Sequence, residues 1–402
     1  MRRLALLCLV ALPVFAQDWP RFRGPDGDGS WNPQRLPTDL ASIKPRQLWK
    51  QSIGGGFGGV TISDGRVFVM DRQTTPENVE RVLCFDARTG KPLWEHRYGV
   101  DYGRMEYNSG PRASVTIHEG RAYAFGATGI ATCLDVASGK VTWTHDTVRE
   151  LGAVIPQWGF AASPLILKDT VLIHCGAKPG GSVVALDLAT GRERWRGGND
   201  PAGYSTPALF GSELVQWGPE HVMALEPGTG REIWRVPYKI TYGVSIAQPI
   251  FHEGIVLVSG YWHGSRAIRA SDSQLMWSDE KTLCGLMSQP LYRDGFVYLL
   301  TKAEGVVCFN LADGSIRWKD AHLLTPKDRN PQMSLVWADY ARGILCGLNA
   351  VGELVFARVT PEEIEELSRH SIIGRTWAHP AFGRNTVIAR SDTELVAWEL
   401  WP

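Results

Sequence analysis

The sequence predicts an all-β protein folded as an eight-bladed β-propeller, with four antiparallel strands in each blade. Three observations lead to this prediction. A short phrase that ends in tryptophan returns about every 45 residues along the chain. Glycines and prolines at similar offsets before the phrase mark further strands, and the two ends of the chain carry complementary parts of one repeat. Repeats of this length that are built from strands are typical of propeller blades.

The repeated phrase is a small residue, a spacer, an acid, two spacers, Thr or Ser, Gly, three spacers and Trp. In the first copy these positions are Cys84, Asp86, Thr89, Gly90 and Trp94. Because Asp can accept backbone N–H groups in a turn and Gly tolerates a positive φ, each copy predicts a tight hairpin. The tryptophan of the second strand then packs on a neighbouring blade. The predicted docking tryptophans are Trp49, Trp94, Trp143, Trp195, Trp234, Trp277 and Trp318.

Two further strands precede the phrase in each repeat. Glycine followed by alternating apolar residues marks a second hairpin, as at Gly65, Gly120, Gly254 and Gly295. Upstream of it, a proline opens a short apolar run in five repeats, at Pro164, Pro207, Pro249, Pro290 and Pro380. Proline suits the innermost strand of a blade, because that strand borders the central channel and need not donate every ladder hydrogen bond.

The ends of the chain predict how the ring closes. Trp49 has no first three strands ahead of it, whereas the stretch from Ala378 to Leu400 has three strands and no docking tryptophan. We therefore expect the N-terminal strand around Trp49 to complete the last blade, which removes the exposed edges of an open ring. First strands are expected near Val60, Val115, Pro164, Pro207, Pro249, Pro290, Leu335 and Pro380, which makes eight blades in a single domain over residues 46–402.

Blade seven departs from the pattern because it lacks a docking tryptophan. After Phe356 the chain continues with Thr360, Pro361 and four glutamates between 362 and 366. Thr360 has the character of a helix cap and Pro361 suits a first helical turn. The sequence therefore predicts a helical insertion at about 361–369, with the glutamates on a solvated face.

Composition and the N-terminus predict an exported protein without a nucleic-acid partner. Forty-two basic and 42 acidic residues leave a formal net charge of zero, so the chain lacks the basic excess that nucleic-acid binding requires. Arg2 and Arg3 precede an apolar run, and Ala16 is placed for cleavage. We expect a signal peptide at 1–16, cleaved after Ala16, an N-terminal arm at 17–45, and a periplasmic or secreted location. No later segment is long enough to predict a membrane span.

The cysteines predict buried thiols instead of disulfides. Cys84, Cys133 and Cys308 occupy the small position of the phrase in three different blades, where other copies have alanine. Equivalent positions in separate blades are expected to lie beyond the reach of a disulfide.

The tryptophan phrase resembles the docking motif of the quinoprotein alcohol dehydrogenase-like propellers, over nearly the whole chain after the leader. The stretches Trp19–Pro25, Gly110–Ala113 and Trp158–Phe160 also resemble exported PQQ-binding-like β-propeller repeat proteins. That superfamily includes pyrroloquinoline quinone (PQQ) dehydrogenases and non-enzymatic scaffolds such as BamB of the outer-membrane assembly machinery. The resemblance implies the fold and leaves both functions open.

A PQQ- and calcium-dependent alcohol or sugar dehydrogenase is one alternative. Calcium requires several oxygen ligands, usually including carboxylates, and the reaction requires an acidic side chain as base. The three residues before each predicted first strand, 24 in all, include no Asp or Glu. Carboxylates are present only in longer connecting segments, at Asp101, Glu106, Glu150 and Asp200. The sequence therefore assigns no catalytic residue, no metal ligand and no definite cofactor, with PQQ and calcium as the alternative.

The favoured alternative is a binding or scaffold module that holds a ligand at one mouth of the channel. Six residues are assigned to this mouth. Four stand at aligned positions just before first strands, Arg112, Tyr204, Trp377 and His379, and two more are Trp158 and Tyr242. Aromatic rings beside an arginine suit a protein segment, a glycan or another small planar or anionic molecule. Packing of the blades is the competing interpretation for the aromatic residues, and bonding to loop carbonyls is the competing interpretation for Arg112.

Overall fold

The computed structural model describes residues 18–402, and its strands form eight four-stranded antiparallel sheets. The all-β, eight-bladed prediction is confirmed. The predicted signal peptide at 1–16 lies outside the described residues. Within residues 18–402, no helix has both the length and the apolar character needed to cross a membrane.

In each blade the strands run in order from the channel to the rim. Blade eight holds β1 (Arg46–Ser52), with β30 (Ala381–Phe382), β31 (Thr386–Arg390) and β32 (Glu394–Glu399). Blades one to three are β2 (Thr61–Ser63), β3 (Arg66–Gln73), β4 (Val79–Asp86), β5 (Pro92–Gly99); β6 (Thr116–His118), β7 (Arg121–Phe125), β8 (Ile130–Asp135), β9 (Val141–Asp146); and β10 (Leu165–Leu167), β11 (Thr170–Ala177), β12 (Gly181–Asp187), β13 (Glu193–Gly197).

Blades four and five are β14 (Ala208–Phe210), β15 (Glu213–Trp217), β16 (His221–Leu225), β17 (Glu232–Pro237); and β18 (Ile250–His252), β19 (Ile255–Gly260), β20 (Gly264–Arg269), β21 (Leu275–Asp279). Blades six and seven are β22 (Leu291–Arg293), β23 (Phe296–Thr301), β24 (Gly305–Asn310), β25 (Ile316–Lys319); and β26 (Met333–Asp339), β27 (Ile344–Asn349), β28 (Glu353–Val359), β29 (Ile364–Ser371). One short helix, α1 (Thr147–Leu151), and two 3-10 turns, Leu40–Ser42 and Thr241–Gly243, lie between strands.

The ring closes as the two chain ends predict. Strand β1 pairs antiparallel with β32, with Trp49 opposite Ala397, and becomes the outermost strand of blade eight. A fully buried side chain joins the closing blade to blade one: Arg390 of β31 donates to the carbonyl of Met70 in β3 and, at 2.7 Å, to that of Gly54. Closure therefore depends on a strand pair and on a buried guanidinium.

The tryptophan phrase connects neighbouring blades. Five indole N–H groups, those of Trp49, Trp94, Trp143, Trp277 and Trp318, donate across the blade boundary to a backbone carbonyl of the next blade, at 2.8–3.1 Å. The turn glycine of the next blade lies under the ring; a Cβ at Gly90 would be 2.6 Å from Trp49. Trp195 lies against Gly230 in the same way. Trp234 instead donates to Glu213 of its own blade, where Ser273 replaces the glycine of the next blade.

The helix predicted at 361–369 is wrong, because these residues largely form β29. The hydroxyl of Thr360 does accept the N–H groups of Glu362 and Glu363, as a cap would. However, the N–H of Thr360 bonds the carbonyl of Glu363, and the chain turns back to pair with β28. The unpaired edge of β28 offers backbone hydrogen bonds that a free-standing helix would leave unused. The predicted glutamate face becomes cross-strand pairs, such as Arg358 with Glu365 at 2.8 Å.

Residues 18–45 lie across one end of the channel. Trp19 pairs with Ile62 of blade one, and the carbonyl of Pro20 accepts from Ile117 of blade two. Further along, fully buried Trp31 pairs through its backbone with Trp337 of blade seven, and its ring stacks on Phe382. These partners lie on or after the first strands, so the segment covers the end of the channel at which the first two strands of each blade are joined.

Candidate functional site

A cavity of about 500 Å³ lies at the other end of the channel, where the first strand of each blade begins. We call it the mouth cavity. All eight residues that stand three positions before the aligned first-strand prolines line it: Phe57, Arg112, Ala161, Tyr204, Ile246, Met287, Gln332 and Trp377. The six residues predicted from the sequence, Arg112, Trp158, Tyr204, Tyr242, Trp377 and His379, are all among its lining residues. The mouth cavity therefore gathers residues from every blade.

Two aromatic walls face each other across the mouth cavity. On one wall the ring centroid of Trp377 is 5.8 Å from that of Phe57 and 5.5 Å from that of Tyr107. These residues belong to blade eight, blade one and the segment after it, whereas the other wall belongs to blades three to five. In an eight-membered ring, blades eight and one stand opposite blades four and five.

The second wall is a chain of rings built around Trp158. Its centroid is 5.7 Å from that of Tyr204 and 6.4 Å from that of Tyr242, which is nearly perpendicular to it. Tyr242 in turn lies 5.4 Å from Trp262, a residue in the loop between β19 and β20. Tilted and edge-to-face contacts of this kind are favourable and hold the rings in fixed orientations.

A carboxylate positions Trp158. The indole N–H of Trp158 donates to Oε2 of Glu106 at 3.1 Å, and the amide of Gln157 donates to Oε1 of the same residue at 3.1 Å. Glu106 belongs to the segment between β5 and β6, so this contact ties that segment to the one that follows α1. Both oxygens of the carboxylate are thus engaged.

Arg112 is held by carbonyls of its own segment. It donates to the carbonyls of Gly110, Glu106 and Tyr107, the last two at 3.0 and 2.6 Å. Its guanidinium also lies 5.4 Å from the ring centroid of Phe57. Burial lowers the pKa of Arg112. The guanidinium therefore shapes the segment 106–112 and supports Phe57.

A buried carboxylate anchors this segment from below. Glu80 accepts hydrogen bonds from the hydroxyl groups of Tyr98 and Tyr102, at 2.6 and 2.5 Å, and from the N–H of Ala127. Burial raises the pKa of Glu80. Because Tyr102 lies four residues before Glu106, Glu80 helps to position the part of the mouth cavity that this segment forms.

His379 lies at the floor of the mouth cavity, where the N-terminal arm reaches into the channel. Its ring meets Phe22 edge-on at 4.9 Å, and Phe22 itself lines the cavity. Burial, with a smaller effect of the Arg23 charge, lowers the pKa of His379 to about 3. The imidazole is therefore neutral at ordinary pH and serves as a wall group.

Hydrogen bonds between blades occupy polar side chains below the aromatic walls. The hydroxyl oxygens of Ser163 and Thr206 accept from the backbone N–H groups of Ser114 and Ser163, at 3.0 and 2.9 Å. Gln289 accepts in the same way from the N–H of Gln248 at 2.7 Å. Each bond runs from one blade to the next. Several polar groups that line the mouth cavity are therefore used to hold the ring together.

The residues of the mouth cavity do not fit a calcium–quinone group. Of the four carboxylates that the sequence offered, only Glu106 lines the cavity, and its oxygens are bonded to Trp158 and Gln157. Asp101 caps its own turn, and Glu150 accepts from the N–H of Asp146. Calcium takes six to eight oxygen ligands, which a single engaged carboxylate does not supply.

Asp200, Glu220 and His221 form the one group of potential metal ligands found within residues 18–402. Asp200 Oδ2 accepts the N–H groups of Glu220 and His221, and Oδ1 lies 2.7 Å from Nδ1 of His221. The buried carboxylate is therefore already paired, and these contacts anchor the loop between β15 and β16.

Sequence reasoning missed several lining residues. Phe22, Tyr107, Gln157, Tyr261 and Trp262 line the mouth cavity from the arm, the connecting segments and a loop. They lie outside the aligned repeat positions. The family resemblance of the stretch Trp19–Pro25 was the available signal for Phe22.

Comparisons with known proteins agree with this architecture. The family model described as outer membrane protein assembly factor BamB matches residues 39–203 and 218–401. The chain belongs to this family. A protein of that name from Moranella endobia (strain PCIT) is 25% identical over 318 residues, which cover 72% of this chain and 75% of the relative.

Solved structures support the same fold. BamB from Moraxella catarrhalis superposes with a TM-score of 0.62 at 17% identity, covering 89% of this chain and 98% of that one. Quinohemoprotein alcohol dehydrogenase from Comamonas testosteroni superposes with a TM-score of 0.69 at 14% identity, covering 95% and 80%. At such low identity these similarities establish the propeller fold and leave the chemistry to the site.

Proposed function

We propose that this member of the BamB family is a non-catalytic binding module of the cell envelope, and that its ligand or partner enters the mouth cavity. The observation that carries the proposal is the pair of opposed aromatic walls, around a cavity whose only lining carboxylate among residues 18–402 already bonds two side chains. Large, fixed aromatic surfaces are typical of binding sites.

The chemistry of the lining residues supports binding over oxidation of an alcohol. A quinoprotein reaction needs a base near the substrate hydroxyl and a cation site beside the cofactor. Glu106 is engaged by Trp158 and Gln157, and His379 is neutral and packed against Phe22. Arg112 is satisfied by loop carbonyls. What remains for a ligand is mainly aromatic surface.

The cellular setting of the proposal comes from the leader and the family. An exported chain, after cleavage at Ala16, would work in the periplasm or be secreted, and its relatives carry the name of outer membrane protein assembly factors. We propose that this chain likewise acts with partner proteins in assembly at the outer membrane.

The first test addresses catalysis. Residues 17–402 are purified, mixed with PQQ and calcium, separated from unbound cofactor by gel filtration, and assayed for dye-linked oxidation of alcohols and sugars. We expect no retained cofactor absorbance and no turnover. Stoichiometric cofactor binding together with turnover would contradict the proposal.

The second test addresses the site. A photo-reactive amino acid at Tyr242, on the rim, is activated in intact cells of the source bacterium, and cross-linked proteins are identified by mass spectrometry. We expect an outer membrane assembly protein among the products, reduced when Trp377→Ala is added. The matched control carries the photo-reactive residue at Leu209, exposed at the other end of the channel. Identical products from both positions would count against the mouth cavity.

A further inference from the structure

Aromatic and apolar side chains continue beyond the mouth cavity onto its rim. Tyr107, Tyr242 and Trp262 are 46%, 65% and 43% exposed, although all three also line the cavity. Val154, in the segment that leads to Trp158, is 60% exposed. A small molecule enclosed by the cavity would leave these side chains in water. Exposed apolar side chains beside a binding cavity are typical of a protein interface.

Two of these aromatic residues on the rim have an unfavourable backbone conformation. Tyr107 and Tyr242 have φ values of +49° and +57°, in the left-handed region that non-glycine residues rarely adopt. Side-chain contacts hold both residues in place: Tyr107 lies against Trp377, and Tyr242 lies against Trp158 and Trp262. The fold therefore maintains exposed aromatic surface at this end of the channel despite a local conformational penalty.

A cationic sector borders the same end of the channel. It comprises the segments 238–249, 280–290 and 320–332 and the loops 261–263 and 302–304, which all lie on the cavity side of blades four to seven. Five exposed cations in it form no ion pair with any residue in the range 18–402: Lys239, Lys281, Lys302, Lys327 and Arg329. Arg329 also lines the mouth cavity.

The acids at this end of blades four to seven offset only part of the charge. Exposed Glu220, in the loop 218–220 that bonds to segment 238–249, forms no ion pair within residues 18–402 and counters one of the five cations. Glu280 and Asp328 face Arg266 and Arg375, at 3.7 and 3.0 Å, and Glu304 faces Lys319 at 3.2 Å. Asp320 is buried and accepts backbone N–H groups. The unpaired positive charge therefore favours an acidic partner and raises its association rate at low salt.

Three polar side chains below the aromatic walls are already bonded, which makes them less available to a glycan. Sugar hydroxyls need many direct hydrogen-bond partners, whereas Ser163, Thr206 and Gln289 are occupied by bonds between blades. Stacking surface inside and positive charge outside fit a chain that carries a large apolar side chain among acidic residues.

Resting on the proposed binding function, we infer that the mouth cavity and the cationic sector together accept an acidic polypeptide segment of a partner, whose aromatic side chain enters between the two aromatic walls. The walls recognise the ring by stacking, and the sector recognises the flanking carboxylates. The aromatic side chain provides the anchor, and the charges orient the segment.

The test uses residues 17–402 and a fluorescently labelled peptide with adjacent tryptophans between runs of aspartate, followed by fluorescence anisotropy. We expect saturable binding that weakens as salt is raised, because rim charges are screened. Peptides with serine in place of tryptophan, or lysine in place of aspartate, are expected to bind about tenfold more weakly or worse.

Variants locate the site on the protein. Trp262→Ala and the pair Lys327→Glu with Arg329→Glu are each expected to weaken binding about tenfold. The matched control Leu209→Ala changes an exposed apolar residue at the other end of the channel and is expected to bind normally. Circular dichroism and the urea midpoint of each variant verify that it is folded.

Four outcomes would overturn this inference: no saturable binding, equal binding of the lysine peptide, equal loss in the Leu209→Ala control, or binding to phosphatidylglycerol vesicles without binding to the peptide. The last would assign the surface to a membrane. A peptide that does not bind, together with a specific cross-link at Tyr242, would refute this inference and leave the proposed binding function supported. Binding of PQQ and calcium with turnover would contradict the proposed function itself.

Discussion

The turn glycines of the repeated phrase offer a direct measurement of how the blades are held together. Gly139, in the turn between β8 and β9, has a φ of +70°, and a Cβ there would lie 2.6 Å from Cδ2 and Cε3 of Trp94 in the preceding blade. Gly120, in an earlier turn of the same blade, has a φ of +72°, and a Cβ there would meet no atom within 4 Å. The two glycines thus share a backbone conformation and differ in their surroundings.

The difference sets the expected magnitudes. Gly120→Ala is expected to cost only the backbone strain of an L-residue in the left-handed region, about 1–2 kcal/mol of unfolding free energy. Gly139→Ala adds displacement of the Trp94 indole, which also loses its 2.9 Å bond to the carbonyl of Val136. Complete loss of a buried tryptophan costs about 3–5 kcal/mol, and Trp94 is half-buried, so we take about 2–3 kcal/mol for the displacement. Gly139→Ala is therefore expected to cost about 3–5 kcal/mol in total.

Urea denaturation followed by circular dichroism gives the free energy of unfolding of each variant. A double-mutant cycle with Trp94→Ala isolates the contact. In the Trp94→Ala background, Gly139→Ala is expected to cost only the backbone strain, about 1–2 kcal/mol. Equal costs for Gly120→Ala and Gly139→Ala, or an unchanged cost in the Trp94→Ala background, would refute the argument that the indole requires the glycine.

Three further predictions concern buried groups. Arg390→Ala at the ring closure is expected to cost about 3–5 kcal/mol of unfolding free energy, because it leaves buried carbonyls unpaired. The control Arg46→Ala, at an exposed ion pair, is expected to change this free energy by less than about 1 kcal/mol. Equal effects of the two substitutions would contradict the buried role of Arg390. Burial raises the pKa of Cys84 to about 12, so a thiol reagent at neutral pH should modify half-buried Cys284 first and Cys84 only after unfolding, as peptide mapping would show. Burial lowers the pKa of His174 to about 4, below its ordinary 6.5, so between these pH values the unfolded chain binds a proton that the folded chain does not. Stability should therefore fall as the pH drops from about 6.5 to about 4. Urea midpoints that fall just as steeply in His174→Gln would show that this residue does not cause the loss of stability.

Much of the fold follows from residues that act locally. An acid, a glycine and a tryptophan at set spacing specify a turn and the strand after it, and alternating apolar residues specify the strands around them. Because most blades repeat these local sequence features, the number of blades and the closing role of Trp49 can be predicted from the chain. The same register places Arg112, Tyr204 and Trp377 at one end of the channel.

The wrong and missing predictions concern segments that the repeats do not align. Residues 361–369 have the local features of a helix start, yet most of them form β29 because they pair with the open edge of β28. The bond between Glu106 and Trp158 joins residues 52 positions apart, in segments of unequal length that no repeat aligns. Phe22 reaches the mouth cavity only because the arm crosses the channel.

The sequence by itself determined the propeller, its closure and the ring of residues at the channel mouth, since these depend on local turn chemistry that recurs along the chain. Only the tertiary structure decided which polar groups of the mouth are already bonded, which rings form its walls and where the unpaired charge lies. Those properties arise from contacts between segments distant in sequence, and hydrogen-bond satisfaction, burial and charge pairing are fixed only when the segments meet.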